Sequence, residues 1–266
     1  MTHPAPPRIE IDGAPATAEQ ALALAMSAYG HFTAMQVRAG KVRGLAHHLR
    51  RLDRAHREVF GAGLDDAHLR SLLAHAVAGG PEDASVRVHV QMPAGADQPW
   101  ISVIVRPPAP PMSDPWRLRS VPYQRSVAHV KHIGDFGQNY YGRMVERDGY
   151  DEALLTGPDG LVSEGSFTNV AFFDAGTVVF PAVPILRGIT MTLIEEGLAA
   201  RGVPVAYRHV RLADVPGYDG MLVTNSQGIA PVAELDGAAI PQSAEMLAHV
   251  LAAYDAAPWD DLQPGG

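Results

Sequence analysis

Apolar positions along the chain recur at two spacings, one typical of helices and one typical of strands. Leu45, Leu49 and Leu52 share one face with His56, which predicts a long helix over 45–61. The same spacing predicts further helices over 17–27, 66–78, 138–148, 189–201 and 242–254. Short apolar runs bounded by glycine and proline predict strands at 30–38, 85–91, 101–105, 116–123, 127–130, 152–157, 168–174, 177–180, 204–210 and 220–225.

A proline-rich segment at 107–111 is the clearest boundary in the chain, with four prolines in five residues. Such a segment favours a stiff, extended connector. We therefore predict a small N-terminal domain over 1–108, a linker over 109–114 and a larger domain over 115–266. Because the strands do not alternate regularly with the helices, the α+β class is favoured over a doubly wound sheet.

Composition and charge exclude several classes of protein. Of the 266 residues, 47% are apolar and 19% are charged, which suits a packed globular core. A net charge of −8 argues against nucleic acid or an anionic membrane as the main partner. Cysteine is absent from the sequence, which excludes disulfides, thiolate catalysis and cysteine–zinc sites.

Neither the ends nor the apolar stretches carry an export or membrane signal. The segment Met1–Pro7 lacks the basic and apolar regions of a signal peptide. An alanine-rich stretch at 21–28 is too short to span a bilayer. Proline and glycine cluster in 1–7 and 257–266, which predicts loose ends. We expect a soluble, cytoplasmic protein with no membrane partner.

Most familiar catalytic motifs are missing. The sequence contains no GxGxxG, P-loop, HExxH or GxSxG pattern. Its twelve histidines lack metal-ligand spacing, and the nearest approaches are His47-His48 and His129-x-x-His132. We interpret these histidines as structural and predict no bound metal.

Several short motifs follow one another between about residue 28 and residue 235. They are Gly30-His-Phe32-Thr33, His48-Leu-Arg-Arg51-Leu52, Lys131-His132, Glu164-x-x-x-x-Asn169, Leu186-Arg-Gly188-Ile189-Thr190, and a loop from Asn225-Ser226 to Pro231-Val232. In this order they resemble the class IV, fold-type IV aminotransferases, which depend on pyridoxal 5'-phosphate. That family includes branched-chain and D-amino-acid aminotransferases and aminodeoxychorismate lyase.

The resemblance implies a small N-terminal α/β domain and a larger, α/β-barrel-like domain that binds the coenzyme. In this family the active site lies between the two domains and is completed by a partner subunit, so we expect a homodimer. Lys131 would form the Schiff base, and Glu164 would keep the proton on the ring nitrogen of the coenzyme. Without the other motifs, Lys131 would be interpreted as a surface lysine at a strand end. Glu164 could instead be a solvated turn glutamate.

The resemblance also implies which residues hold the phosphate. Gly188 precedes a predicted helix, so the backbone N–H groups of Ile189 and Thr190 can point at an anion. Arg51 would add a forked, charge-assisted contact, and it is chosen over its arginine neighbours by the family pattern alone. Asn169, Asn225 and Ser226 complete the predicted coenzyme site. Thr190 could instead cap the helix, and Asn225 and Ser226 could be turn formers.

Some positions depart from the family pattern. Phe136 stands where many of these transaminases have a tyrosine that bonds the phenolic oxygen of the coenzyme, and Asn139, Tyr140 or Tyr141 could replace it. Phe32 stands where D-amino-acid aminotransferases usually have a tyrosine near the substrate. The candidate binders of a substrate carboxylate are Arg38, Arg87 and His89, each of which could also be a surface strand residue.

The predicted activity is transfer of an amino group between an amino acid, or another amine, and a 2-keto acid through the Lys131 Schiff base. The alternative is a lyase that releases pyruvate from aminodeoxychorismate, since Gly30–Val42 and Lys131-His132 are similar to that enzyme. Ala34 and the sequence Ile133-Gly134-Asp135 depart from the lyase pattern. A remote alternative is a non-catalytic module that binds an anion or a partner through the arginine-rich helix at 50–57.

Overall fold

The computed structural model describes residues 7–112 and 114–262. Its helices there are α1 (Ala18–Ala25), α2 (Leu45–Phe60), α3 (Asp66–Val77), α4 (Phe136–Arg147), α5 (Ile189–Ala200) and α6 (Ala244–Asp255), with a 3-10 helix at Leu212–Gly217. Its strands are β1 (Arg8–Ile11), β2 (Ala14–Pro15), β3 (Gly30–Val37), β4 (Lys41–Arg43), β5 (Ala84–Gln91), β6 (Trp100–Arg106), β7 (Trp116–Pro122), β8 (Glu152–Thr156), β9 (Val162–Gly165), β10 (Asn169–Asp174), β11 (Thr177–Pro181), β12 (Val205–Arg208), β13 (Gly220–Asn225), β14 (Gly228–Leu235), β15 (Ala238–Ala239) and β16 (Trp259–Asp261). Among the described residues, every helix falls short of the length or the apolar content that a membrane span requires.

The helices predicted from apolar spacing are all present, and their ends lie within two residues of the predicted ends. The predicted strands are present as well, apart from the one at 127–130, which is wrong. Residues 126–129 form a turn instead. Val127 has a φ of 50° in this turn, a left-handed conformation that is costly for a β-branched residue.

Several strands were missed, β14 and β16 among them, and for different reasons. β14 contains Pro231, which argues against a strand, yet it pairs with β7, β13 and β15. β16 lies in a predicted loose end but pairs with β4, and Leu262 is buried in the core. The prediction of a loose end is therefore wrong for 258–262, while 1–6 and 263–266 lie outside the described residues.

The first of two compact units consists of the chain up to Pro110, residues 130–134 and the residues from Pro258. Its antiparallel sheet has the strand order β2-β1-β6-β5-β3. α2 and α3 pack their apolar side chains on one face of this sheet. Residues 130–134 group with this unit, where His132 bridges His31 on β3.

The second unit consists of residues 111–129 and 135–257. Its sheet, curled into a half-barrel, has the strand order β12-β11-β10-β13-β14-β7-β8-β9, with β15 paired to β14. Val170 and Phe172 of β10 face one apolar core. Ala171 and Phe173 face another core, which α5 and α6 complete. This alternation buries both faces of the central strands.

Candidate active site

Lys131 is held beside β3 by backbone hydrogen bonds in the first unit. Its carbonyl oxygen accepts from the N–H of Phe32 at 2.8 Å, and the N–H of Ile133 donates to the Gly30 carbonyl at 3.0 Å. The side chain is half-buried, and its Nζ lies 4.8 Å from the centroid of the Phe32 ring. Strand pairing and an aromatic face therefore position this amine.

Two of the predicted substrate residues, Arg87 and His89, lie beside the ring of a third, Phe32. Phe32 pairs with His89 across the sheet, with ring centroids 5.0 Å apart. The Cζ of Arg87 lies 5.7 Å from the Phe32 centroid. Arg38 is placed differently, because its guanidinium donates to the carbonyls of Val37 and Ala109, each at 2.8 Å.

A buried basic cluster lies on α2 in the same unit. His48 Nδ1 and Thr33 Oγ1 share a hydrogen bond of 2.7 Å. Burial, followed by the charges of Arg51, His47 and Lys131, lowers the pKa of His48 well below its usual value, so the ring is neutral. Burial and the charge of Arg54 lower the pKa of Arg51 to about 10. Arg51, which is half-buried, therefore remains a cation at neutral pH, which suits an anionic ligand.

Glu164 is buried in the second unit, 4% exposed, and both of its oxygens accept hydrogen bonds. Oε1 accepts from Nη1 of Arg125 at 3.0 Å, and Oε2 accepts from the N–H of Leu186 at 3.1 Å. The same Nη1 donates to the carbonyl of Ala128, which closes the turn that contains Val127.

Asn169 completes a clamp on Leu186. Its Nδ2 donates to the Leu186 carbonyl at 2.7 Å, so both backbone groups of Leu186 are held by motif side chains. A Cβ on Gly188 would lie 2.0 Å from Asn169 Oδ1. Since Gly188 has an ordinary φ of −64°, the glycine is required here for space.

The start of α5 is tied to the predicted second phosphate loop. The N–H groups of Ile189 and Thr190, in the first turn, have no acceptor within the helix. Thr190 does not cap the helix, because its Oγ1 donates to the carbonyl of Asn225 at 2.7 Å. Asn225 Oδ1 accepts from the N–H of Gln227, which forms the tight turn that contains Ser226. The structure thus brings the predicted phosphate residues of this unit together at a helix N-terminus.

Replacing Gly188 by alanine is expected to lower the free energy of unfolding by about 1–3 kcal/mol, since the new methyl group must displace Asn169. Gly217 is the matched control, because a Cβ there meets nothing within 4 Å. Urea denaturation of G188A, G217A and the wild type measures both effects. Equal stability of the two variants would contradict the close approach of Gly188 and Asn169.

The structure also places the alternatives to the missing tyrosine. Phe136 is the first residue of α4 and is 80% exposed. Asn139 Nδ2 donates to the Asp135 carbonyl. Tyr140 and Tyr141 belong to an aromatic row, with ring centroids 5.2 Å apart.

Arg125 and Glu152 were missed by the sequence analysis. Arg125 is an arginine in a short turn, and its partner Glu164 is 39 residues away, so no local pattern pointed to it. Glu152 carried a signal, because it is a charged residue at the start of an apolar strand. It lies buried beneath the turn at 165–168.

Three comparisons place these features among known proteins. The family model described as amino-transferase class IV matches residues 30–235. A protein of Methanocaldococcus jannaschii, provisionally named a branched-chain-amino-acid aminotransferase, is 29% identical over 143 residues, 50% of each chain. A bifunctional aminodeoxychorismate lyase / D-amino acid transaminase of Mycobacterium tuberculosis is 30% identical over 121 residues, 41% of this chain and 42% of that protein. The chain therefore spans about half the length, or less, of the curated relatives it matches.

Among solved structures, a hypothetical aminotransferase from Mycobacterium tuberculosis, in its PLP-bound form, superposes with a TM-score of 0.80. It is 23% identical, and the match covers 94% of this chain and 98% of that one. At this identity the likeness establishes the fold. The α+β, fold-type IV class predicted from the sequence is confirmed.

Proposed function

Since the chain belongs to the amino-transferase class IV family, we propose that it transfers an amino group between an amino acid, or another amine, and a 2-keto acid, with pyridoxal 5'-phosphate as its coenzyme. The observation that carries this proposal is the hydrogen-bonded cluster of Glu164, Asn169, Leu186 and Gly188 at the start of α5. A buried carboxylate and a helix N-terminus in one cluster fit the ring nitrogen and the phosphate of this coenzyme.

When bound, the coenzyme supplies an aldehyde for covalent attachment and a cationic ring that delocalises the electron pair left on the substrate Cα. Glu164 would accept the hydrogen bond from the ring nitrogen. Its pairing with Arg125 keeps this carboxylate oriented. Ile189, Thr190 and Ser226 would donate to the phosphate, and Arg51 would add positive charge.

Lys131 provides the amine for covalent attachment and then moves a proton from the substrate Cα as general base and acid. The ring of Phe32 shields one side of this amine from water. Arg87 and His89, beside the same ring, bind the carboxylate of the substrate. Arg38, whose donors are engaged with carbonyl oxygens, supports the end of β3.

An absorbance spectrum of the purified protein tests this proposal. We expect a yellow protein whose visible band is bleached stoichiometrically by an amino donor and restored by a 2-keto acid. A colourless protein that cannot take up added coenzyme would overturn the proposal.

A lyase activity on aminodeoxychorismate is the second candidate. It is supported by the match to the bifunctional lyase and transaminase of Mycobacterium tuberculosis. Sustained pyruvate release from aminodeoxychorismate without an added keto acid would favour the lyase. Release limited to one equivalent, or none, would favour the transaminase.

We also propose that the protein is a homodimer and that it is located in the cytoplasm. The exposed rings of Phe136, Tyr140 and Phe167, which are 80%, 52% and 48% exposed, offer apolar surface to a second copy. Light scattering coupled to gel filtration would reveal the mass of a dimer, and a monomer at micromolar concentration would contradict it.

A further inference from the structure

The carboxylate of Glu152 accepts three hydrogen bonds, one from each of three consecutive residues of a turn. Ser166 Oγ donates to it at 3.3 Å and Thr168 Oγ1 at 2.6 Å. The N–H of Phe167 donates to it as well. Glu152 is only 3% exposed, so this turn at 165–168 rests on a single buried carboxylate.

The turn is held tightly from its other sides. A Cβ on Gly165 would lie 2.6 Å from Glu152 Oε2, so only glycine fits there. Gln138 Nε2 donates to the Ser166 carbonyl at 2.7 Å. The N–H of Ser166 donates to the Ala153 carbonyl at 3.0 Å. These contacts hold the turn in one conformation as long as Glu152 accepts hydrogen bonds from all three donors.

The residues at the two ends of this turn are Glu164 and Asn169. Both hold Leu186, Glu164 through the Leu186 N–H and Asn169 through the Leu186 carbonyl. A shift of the turn would therefore change the spacing of these two side chains and the path of the chain into α5.

We propose that Glu152 is a positioning residue for the coenzyme, because its ionised carboxylate holds the turn at 165–168 and thereby sets the placement of Glu164 and Asn169. The inference rests on the proposed function. Glu152 itself touches the turn only, and it acts on the coenzyme site through Glu164 and Asn169.

The protonation state of Glu152 changes how many donors it can accept. An ionised carboxylate only accepts, whereas a neutral one must place a proton of its own among the three donors. Burial raises the pKa of Glu152 to about 7, against the hydrogen bonds from Thr168, Phe167 and Ser166, which lower it. Near neutral pH, a change of pH therefore switches the turn between a fully bonded and a mismatched arrangement.

Other titratable groups lie on the elements packed against β8, and several have partners of their own. Arg117 pairs with Glu234, Arg119 with Asp148 and Glu164 with Arg125. The titratable residues of α4, which also packs on β8, are Tyr140, Tyr141, Arg143, Glu146 and Arg147. Because the wild type and a variant changed only at Glu152 share all these groups, the difference between the two proteins reports the titration of Glu152.

The test compares the wild type with Glu152→Gln, which mimics the neutral carboxyl group. Coenzyme affinity is measured by absorbance titration from about pH 5.5 to about pH 8.5, a range that brackets the ordinary span of a raised carboxyl pKa. The ratio of the two affinities cancels the pH dependence of every group that the two proteins share, the coenzyme included. We expect the wild type to bind about tenfold more tightly at the upper end, where one pKa unit of coupling corresponds to tenfold. At the lower end the two should converge.

The stability of the coenzyme-free protein supplies a readout that a merely structural role would not give. Because burial raises the pKa of Glu152, its favourable contribution to folding is present below the ordinary carboxyl pKa and is lost as the pH rises through about 7. The wild type should thus lose stability relative to E152Q over the same range in which it gains relative affinity. A purely structural residue would move both in the same direction.

Further variants keep the test decisive if E152Q folds poorly. Thr168→Val removes one donor and should weaken coenzyme binding, and Thr168→Ser should restore it. Glu245→Gln, on an 85% exposed side chain of α6, is the matched control and should leave the affinity unchanged. If both proteins bind the coenzyme and the ratio of their affinities does not change with pH, this inference is overturned while the proposed function stands. A wild type that binds no coenzyme would overturn the proposed function together with it.

Discussion

Replacing Lys131 by alanine is expected to abolish amino transfer and to remove the yellow colour of the bound coenzyme. The variant lacks both the amine for covalent attachment and the group that moves the Cα proton. General acid–base catalysis alone contributes about 10²–10⁴-fold, so we expect a loss of at least about 10⁴-fold when covalent attachment is lost as well. Single-turnover conversion of an amino donor, followed by absorbance, measures this loss.

The chain offers a matched control, since the sequence contains only two lysines, Lys41 and Lys131. Lys41 is 45% exposed and pairs with Asp261 at 3.1 Å. K41A should therefore keep the colour and the activity of the wild type. If K131A reacted at a rate within about tenfold of the wild-type rate, Lys131 would not be the general acid–base catalyst.

Replacing Arg125 by methionine is expected to destabilise the protein by about 3–5 kcal/mol, because it leaves the buried charge of Glu164 without its cation. The side chains of this pair are only 4% and 5% exposed. The same change should weaken coenzyme binding, since Glu164 loses the contact that orients it. Urea denaturation and absorbance titration measure the two effects.

Arg119 provides the matched control for this prediction, because its pair with Asp148 is equally direct at 2.7 Å but about half exposed, 45% and 47%. R119M should cost less than about 1 kcal/mol. The double variant R125M/E164Q should recover most of the stability that R125M loses, because no unpaired charge remains. Its coenzyme binding should stay weak. A cost for R125M as small as that for R119M would contradict the buried ion pair.

Local patterns in the sequence were sufficient for the helices and for most strands. The helix at Leu45–Phe60 follows from apolar spacing alone. Val127 shows the limit of this reasoning, since its apolar neighbourhood predicted a strand while a contact from Arg125 closes a turn. β16 was missed because three residues pair only with the distant β4.

The site was predicted through motif order, and its supporting residues were not. Gly188 and Asn169 were named separately, and only the structure explains why they occur together, namely that no side chain fits between them. Arg125 contacts Glu164, which lies 39 positions away in sequence, and Glu152 contacts residues that lie 14–16 positions away. A single sequence does not identify the partner in such a contact, even where it marks a charged residue in an apolar strand, because the choice of partner is decided by tertiary packing.

Borohydride reduction of the purified, coenzyme-loaded protein, followed by peptide mapping, shows which lysine carries the coenzyme. We expect one stable coenzyme adduct, on the peptide that contains Lys131, and none on the peptide that contains Lys41. An adduct on Lys41, or a coenzyme that remains fully extractable after reduction, would contradict this expectation.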